Sequence, residues 1–224
     1  MRTIMLMNAK GGCGKTTLAT NIATWFADDG HQVALADFDP QGSSLDWLAA
    51  RDDYEGIPEI QGIDAYNRQL RPHLGTEHLV MDVPAAVHGK EIDHLLRRVE
   101  TLIVPVLPSP IDIRAAARFL EELLHSGRVR REHTRVAVVA NRVREKSHAF
   151  HLLQEFMQRL AVPCIATLRE SQNYIRSAET GLGLWELTPS LMEPDLQQWD
   201  PLMAWLLSRD SLPKRPTRTA SRRA

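Results

Sequence analysis

Cysteine is scarce: the chain has two in 224 residues, Cys13 and Cys164, without the spacing of a disulfide framework or a cysteine-based metal centre. Aromatic residues make up only 6%. No apolar run reaches the roughly eighteen residues of a membrane span, and Met1-Arg2-Thr3 leads straight into a strand-like stretch, so no signal peptide is expected. There is no internal period that would mark a repeat array. Net charge is nearly absent too, with 27 Lys and Arg against 28 Asp and Glu giving −1 at pH 7. What remains is a globular composition, 43% hydrophobic and 25% charged, long enough for one α/β domain with a substantial core and short for two. A cytoplasmic protein is expected.

The near-zero sum hides an asymmetry. Residues 1–60 hold four Lys/Arg against nine Asp/Glu, whereas residues 114–146 hold nine against four. From Asp210 onward the sequence adds Lys214, Arg215, Arg218, Arg222 and Arg223, so one side of the molecule is expected to be basic.

Short apolar runs alternate with helical patterns throughout. That alternation predicts βαβ units and a mostly parallel, twisted sheet of about seven or eight strands with helices on both faces. The first strand, Thr3 to Asn8, feeds Lys10-Gly11-Gly12-Cys13-Gly14-Lys15-Thr16-Thr17, followed by a helix from about Thr16 to Asp28 that Gly30 stops. Glycines in a strand-to-helix loop let successive N–H groups surround an anion, and the helix adds the positive end of its dipole. Lys15 is placed to reach the β- and γ-phosphates and the Thr16 hydroxyl to ligate magnesium, the chemistry of a Walker A loop. Here Ala9 stands where the usual pattern has its first glycine, and Lys10 follows it.

With that deviant loop the sequence resembles the ParA/MinD family of dimeric P-loop ATPases, over about residues 1–209. The resemblance implies ATP and Mg2+ as ligands, held by Lys10, Gly11, Gly12, Cys13, Gly14, Lys15, Thr16 and Thr17, with Lys10 crossing a dimer interface to the partner's nucleotide. It implies that Asp39, in Asp37-Phe38-Asp39-Pro40-Gln41-Gly42-Ser43, orients the attacking water near the metal. The same residues also build a turn, with Ser43 capping a helix from Ser44 to Ala50. His78 to Asp82 fits a Walker B strand whose Asp82 supports magnesium, although Asp82-Val83-Pro84-Ala85 departs from the family's continuation.

The remaining expectations are coarser. Ile57 to Ile60 is read as a short edge strand, Asp64 to Leu74 as a helix, and Leu196 to Leu207 as a closing helix bent at or capped by Pro201. Pro105 to Asp112 resembles a stretch that in small ParA proteins borders the nucleotide and the dimer face. Asn141-Arg142 sits at a strand end, where Asn141 either meets the adenine edge, as the resemblance implies, or serves a turn. Arg169, Arg176, Lys214 and Arg215 are the arginines and lysine that the resemblance and the charge pattern nominate for DNA contacts. The resemblance further implies a low basal ATPase rate, an ATP-dependent homodimer, non-specific DNA binding on the nucleoid, and a ParB-like or cargo-adaptor protein that stimulates hydrolysis. Residues 210–224 form the expected basic tail. The strand-first start resembles the small class without a DNA-reading domain. A MinD-like membrane-bound division regulator shares every ATP residue, so it stands as the alternative. An iron–sulfur carrier lacks its cysteines here, and a metabolic kinase on this fold would need a small-molecule acceptor.

Overall fold

The computed structural model describes residues 1–85 and 87–214. Seven strands, β1 (Arg2–Leu6), β2 (Val33–Asp37), β3 (Ile60–Asp64), β4 (His78–Asp82), β5 (Thr101–Val106), β6 (Arg135–Val143) and β7 (Cys164–Arg169), form one sheet in the order β3-β2-β4-β1-β5-β6-β7. Every pairing is parallel. The helices are α1 (Lys15–Asp28), α2 (Ser43–Ala49), α3 (Lys90–Leu96), α4 (Pro110–His125), α5 (Gly127–Arg130), α6 (His148–Met157), α7 (Gln172–Thr180) and α8 (Pro189–Leu207).

Strand alternation decides which side chain faces which layer. In β1, Ile4 and Leu6 pack with α1 and α8, on a layer that includes Phe26, Trp199 and Leu206. Met5 and Met7 pack on the opposite layer with α3, α4 and α6, among Leu96, Phe119 and Leu153. Both layers are buried, so the strands read as continuous apolar runs. The neighbours of β1 are β4 on one side and β5 on the other, so strand order reverses around it. A crevice opens at that reversal, outside the carboxyl ends of the strands. Met7 to Gly14 therefore leaves the sheet at the place where a parallel sheet binds its ligand.

Several expectations change. Residues 65–75 contain no helix. β3 instead runs on to Asp64, whose carboxylate accepts the Asn67 N–H at 3.0 Å and closes a turn, while Gln61 fixes the return by accepting the His73 N–H at 2.7 Å. Asp64 holds the Asn67 N–H as an N-cap would, and its carbonyl accepts the Arg68 N–H at 3.1 Å, but only one turn forms because Pro72 lacks an N–H and disfavours the helical region at Arg71. Ser43 does not cap α2; Gly42, at φ +68°, holds the N-cap position and Ser43 is the first helical residue. β6 continues through Val143, so Asn141 and Arg142 lie inside an irregular strand rather than beyond it. α8 begins earlier than Leu196 and passes through both Pro194 and Pro201, because its buried Met192, Trp199, Leu202 and Leu206 pack across the sheet.

The ordered body reaches past residue 209. A 3-10 turn at Arg209–Ser211 buries Ser211, whose hydroxyl accepts from Arg2 at 2.8 Å and whose carbonyl accepts from Thr101 at 2.6 Å. A tail starting at 210 would cut through this turn. Arg215 and the residues after it lie outside the described residues.

Candidate nucleotide site at the carboxyl edge of the sheet

The loop after β1 is rolled tightly around its own carbonyls. Gly12 and Gly14 have φ of +72° and +92°, in the left-handed region where a side chain would be strained. Gly14 is also the N-cap of α1, which has no side-chain cap, so the first-turn N–H groups are presented by backbone alone. A Cβ on Gly14 would run into the Asn141 amide. Lys15 is only 9% exposed, with its Nζ 3.5 Å from the Lys10 carbonyl. A buried ammonium beside a helix N-terminus makes a strongly anion-seeking point.

The acids face it from β2 and β4. Register pairs Asp37 with Asp82. Burial pushes the Asp82 carboxyl up to about 7, against the pull of the Thr16 hydroxyl and Lys15, while Asp37 and Asp39 push it further up. Asp37 is buried and accepts three hydrogen bonds, from the Asp39 N–H at 2.8 Å, the Ser44 N–H at 2.9 Å and the Ser44 hydroxyl at 2.7 Å. Asp39 in turn accepts the Gln41 N–H at 2.9 Å. The turn expected from Pro40 and Gly42 is thus held by the carboxylate that precedes it.

These donors fit a magnesium ion. The Thr16 hydroxyl, Asp82 and Asp39 are all hard oxygen donors, and Asp82 is a desolvated carboxyl whose ionised form gains from a cation. Among the described residues no three carboxylates, imidazoles or thiolates converge on one point. The ion would complete its shell with phosphate and water oxygens, as magnesium prefers.

A pH dependence follows. A carboxyl raised from 3.8 to about 7 keeps its proton in the folded state where the unfolded chain has lost it. Its contribution to stability is full below the unfolded value and disappears as pH rises through about 7. Thermal melts without nucleotide should therefore show Tm falling between pH 5 and 8, and Asp82→Asn should flatten that slope. Magnesium competes with the same proton, so magnesium-dependent nucleotide affinity should rise by up to about tenfold per pH unit below 7. A flat affinity profile by calorimetry would remove Asp82 from the metal site.

Beside the loop lies a cavity of about 710 Å³, lined by Gly12, Thr17, Asn141, Gln172, Tyr174 and Ile175 among others. It is large enough for a nucleoside. The buried Asn141 donates its amide N–H to the Cys13 carbonyl at 2.8 Å. That bond braces the loop after β1 from β6.

Lys10 lies at the mouth with its side chain 42% exposed, 3.9 Å from Asp112. The Asp112 carboxylate also contacts the Ser109 hydroxyl, and Ser109 caps α4. The Pro105 to Asp112 stretch therefore does border the loop. Three of the nominated DNA contacts lie within the described residues. Arg169 is paired with the buried Asp195 at 2.5 Å, Lys214 with Glu132 at 2.7 Å, and Arg176 is exposed on α7. Sequence reading missed the grip of Asp37 on Ser44 and the partnership of Arg51 with Glu186, 2.7 Å apart and 135 residues away in sequence. Nothing local signals the latter. The former was hinted at by Asp37 and Asp39 sharing one side of an extended segment.

This geometry has relatives. The chain is 28% identical over 190 residues to the maintenance of carboxysome distribution protein A of Halothiobacillus neapolitanus, covering 83% of this chain and 87% of that one. It is 32% identical over 123 residues to the chromosome-partitioning ATPase Soj of Thermus thermophilus, 53% of this chain and 41% of that one. Among solved structures, MinD of Aquifex aeolicus superposes with a TM-score of 0.70 at 20% identity, covering 96% of this chain and 100% of that one. The ATP complex of a variant McdA from Cyanothece superposes with a TM-score of 0.65 at 18% identity, over 91% and 96%. Residues 4–184 match the CobQ/CobB/MinD/ParA nucleotide binding domain, and with this loop, these acids and this sheet order the chain belongs to that family.

Proposed function

We propose that this chain is a ParA-type ATPase that pairs on binding ATP with Mg2+, holds DNA non-specifically in the paired state, and is released when a partner stimulates hydrolysis. The cargo it positions would be a plasmid, a chromosome, or a protein assembly such as a carboxysome or chemosensory array. The relatives named above, a carboxysome distribution protein and a chromosome-partitioning ATPase, support that class of role. The observation that carries the reading is the pair of lysines, Lys15 buried within the loop and Lys10 half-exposed at its start.

In this reading each residue has a role. Lys15 and the first turn of α1 bind the phosphates, Asp39 holds the attacking water, and the Lys10 ammonium offsets charge on the neighbour's triphosphate. One magnesium ion would supply charge neutralisation, held by Thr16 and Asp82. Catalysis by positioning and electrostatics is slow until every group is aligned, so a low basal rate is expected. DNA affinity would come from phosphate contacts by exposed arginines such as Arg114, Arg118, Arg130, Arg131 and Arg176, and pairing would double their number. No helix among the described residues is long and apolar enough to cross a membrane. A nucleoid-associated protein is the expected consequence.

Gly11→Val tests the pairing. Gly11 is exposed, and among the described residues an added Cβ would meet only the Ala85 side chain at 4.0 Å, so the fold should tolerate it. Bulk at that position should block two loops from approaching. Light scattering should then show a monomer in saturating ATP and Mg2+, against a dimer for the unmodified chain. An ATP-dependent dimer in the variant would contradict this packing, and absence of any ATP-dependent dimer in the unmodified chain would end the proposal.

Removing residues 215–224, which carry Arg215, Arg218, Arg222 and Arg223, leaves the buried Ser211 turn intact. If those arginines touch phosphates, DNA affinity should drop and its salt slope should flatten by up to about 0.9 per lost contact. An unchanged slope would assign DNA binding to the body alone.

A further inference from the structure

The wall of the nucleoside cavity is bolted to the helix that follows Asp39. Tyr174, Ile175 and Ala178 of α7 line the cavity. On the side of α7 turned to α2, the Ser177 carbonyl accepts the Trp47 indole N–H at 2.9 Å. Four residues beyond Trp47, the buried Arg51 donates to the Gly181 carbonyl at the end of α7, to the Pro58 carbonyl, both at 2.9 Å, and to both Glu186 oxygens at 2.7 Å. Its guanidinium lies 5.2 Å from the Trp47 ring. The backbones meet so closely that a Cβ on Gly181, whose φ is +70°, would sit 2.7 Å from the Trp47 carbonyl oxygen and 2.8 Å from the Arg51 nitrogen. The same segment reaches α1: a Cβ on Gly183 would overlap Thr24, and the Leu184 N–H donates to Asn21 at 2.9 Å.

At its other end α2 is gripped by Asp37, through the Ser44 N–H and hydroxyl, and the same carboxylate accepts the Asp39 N–H. A bonded path therefore runs from the cavity wall through Ser177 and Gly181, Trp47 and Arg51, and Ser44 and Asp37, to the backbone of Asp39. Buried close-packed joints of this kind move as units rather than deforming gradually.

We propose that Trp47 and Arg51 are positioning residues through which the seated base sets the geometry of the Asp39 loop. The site then hydrolyses a purine nucleoside triphosphate faster than the same triphosphate bearing a smaller base, even at saturation. This rests on the nucleotide reading above but adds that the base acts on hydrolysis, beyond its contribution to binding.

Hydrogen exchange on the full-length chain separates the two. Mg2+ with inorganic pyrophosphate fills the phosphate loop only, whereas ADP fills the loop and the cavity, and neither requires turnover. Both should protect the amides of residues 14–17. ADP should slow the amides of residues 43–49 by about fivefold more than pyrophosphate, the worth of one buried hydrogen bond. Trp47→Phe keeps a ring but lacks the N–H, and in that variant the two ligands should protect α2 equally while loop protection by ADP persists. In steady-state kinetics the same variant should bring kcat for ATP to within about twofold of kcat for CTP, with KM for ATP nearly unchanged. Arg51→Lys, which retains the charge but loses the fork, should act in the same direction. Equal α2 protection by ADP and pyrophosphate in the unmodified chain would overturn the proposal, as would a Trp47→Phe variant that keeps the ADP excess. A uniform loss with both ligands would show a purely structural joint and overturn it too. If neither ligand protects residues 14–17, the nucleotide reading itself fails, and this inference with it.

Discussion

Lys15→Ala is expected to weaken ATP binding about a hundredfold or more, which calorimetry with nucleotide and Mg2+ will read directly. The size follows from where the ammonium sits. It is 9% exposed and faces the Lys10 carbonyl at 3.5 Å, with the uncapped first turn of α1 beside it. Truncating one partner of a buried charge pair costs about 2–5 kcal/mol because the other charge is left without compensation. Here the uncompensated charge would be the triphosphate's. The fold should survive, since the alanine is an excellent helix former at the first position of α1 and the ammonium has no carboxylate partner among the described residues. Unchanged ATP affinity in a folded variant would remove the phosphate-loop assignment.

Asp39→Ala should separate binding from turnover. The carboxylate lies in a turn fixed from both sides, by Asp37 accepting the Asp39 N–H and by Asp39 accepting the Gln41 N–H. Removing it leaves Asp37, Ser44 and the phosphate loop in place, so ATP should still bind and the chain should still pair. Loss of a group that positions or activates water lowers the rate by about 10²–10⁴-fold. The variant should accumulate as an ATP-bound dimer that stays on DNA, visible as a slower dissociation phase. Normal hydrolysis would show that another group holds the water, and the nearest one by bonding is Asp37.

The two experiments draw on parts of the chain that differ in how openly the sequence displayed them. The loop after β1 was legible because its shape is made by backbone: glycines at positive φ, a lysine and a threonine at fixed offsets need only be adjacent in sequence to be adjacent in space. The position of Asp82 was legible for a related reason, since an apolar run buried on both faces reads as a strand and the acid closes it. The helix expected from Asp64 to Leu74 is absent because Pro72 stops the single turn that Asp64 opens and the Gln61 side chain, 12 residues away, takes the His73 N–H. Ser43 was mistaken for a cap because the turn before it was expected to end one residue later. Arg169 has a partner that the sequence does not display. The resemblance nominated it for DNA, and the structure adds a partner that no local pattern shows, the buried Asp195 of α8, 26 residues further on.

The sequence by itself determined the parallel sheet, the phosphate loop with its two lysines, and the acids at the ends of β2 and β4. Each is encoded by neighbours within one strand, one loop or one helical turn, where chain connectivity does the positioning. Only the tertiary structure decided that Asn141 braces the Cys13 carbonyl, that Lys10 rests near Asp112, that Ser211 completes the body, and that Arg51 locks the end of α7 to α2. Those contacts join residues about a hundred positions apart. Such partners meet only because burying both faces of the sheet fixes strand order and register, and a linear pattern carries no record of that geometry.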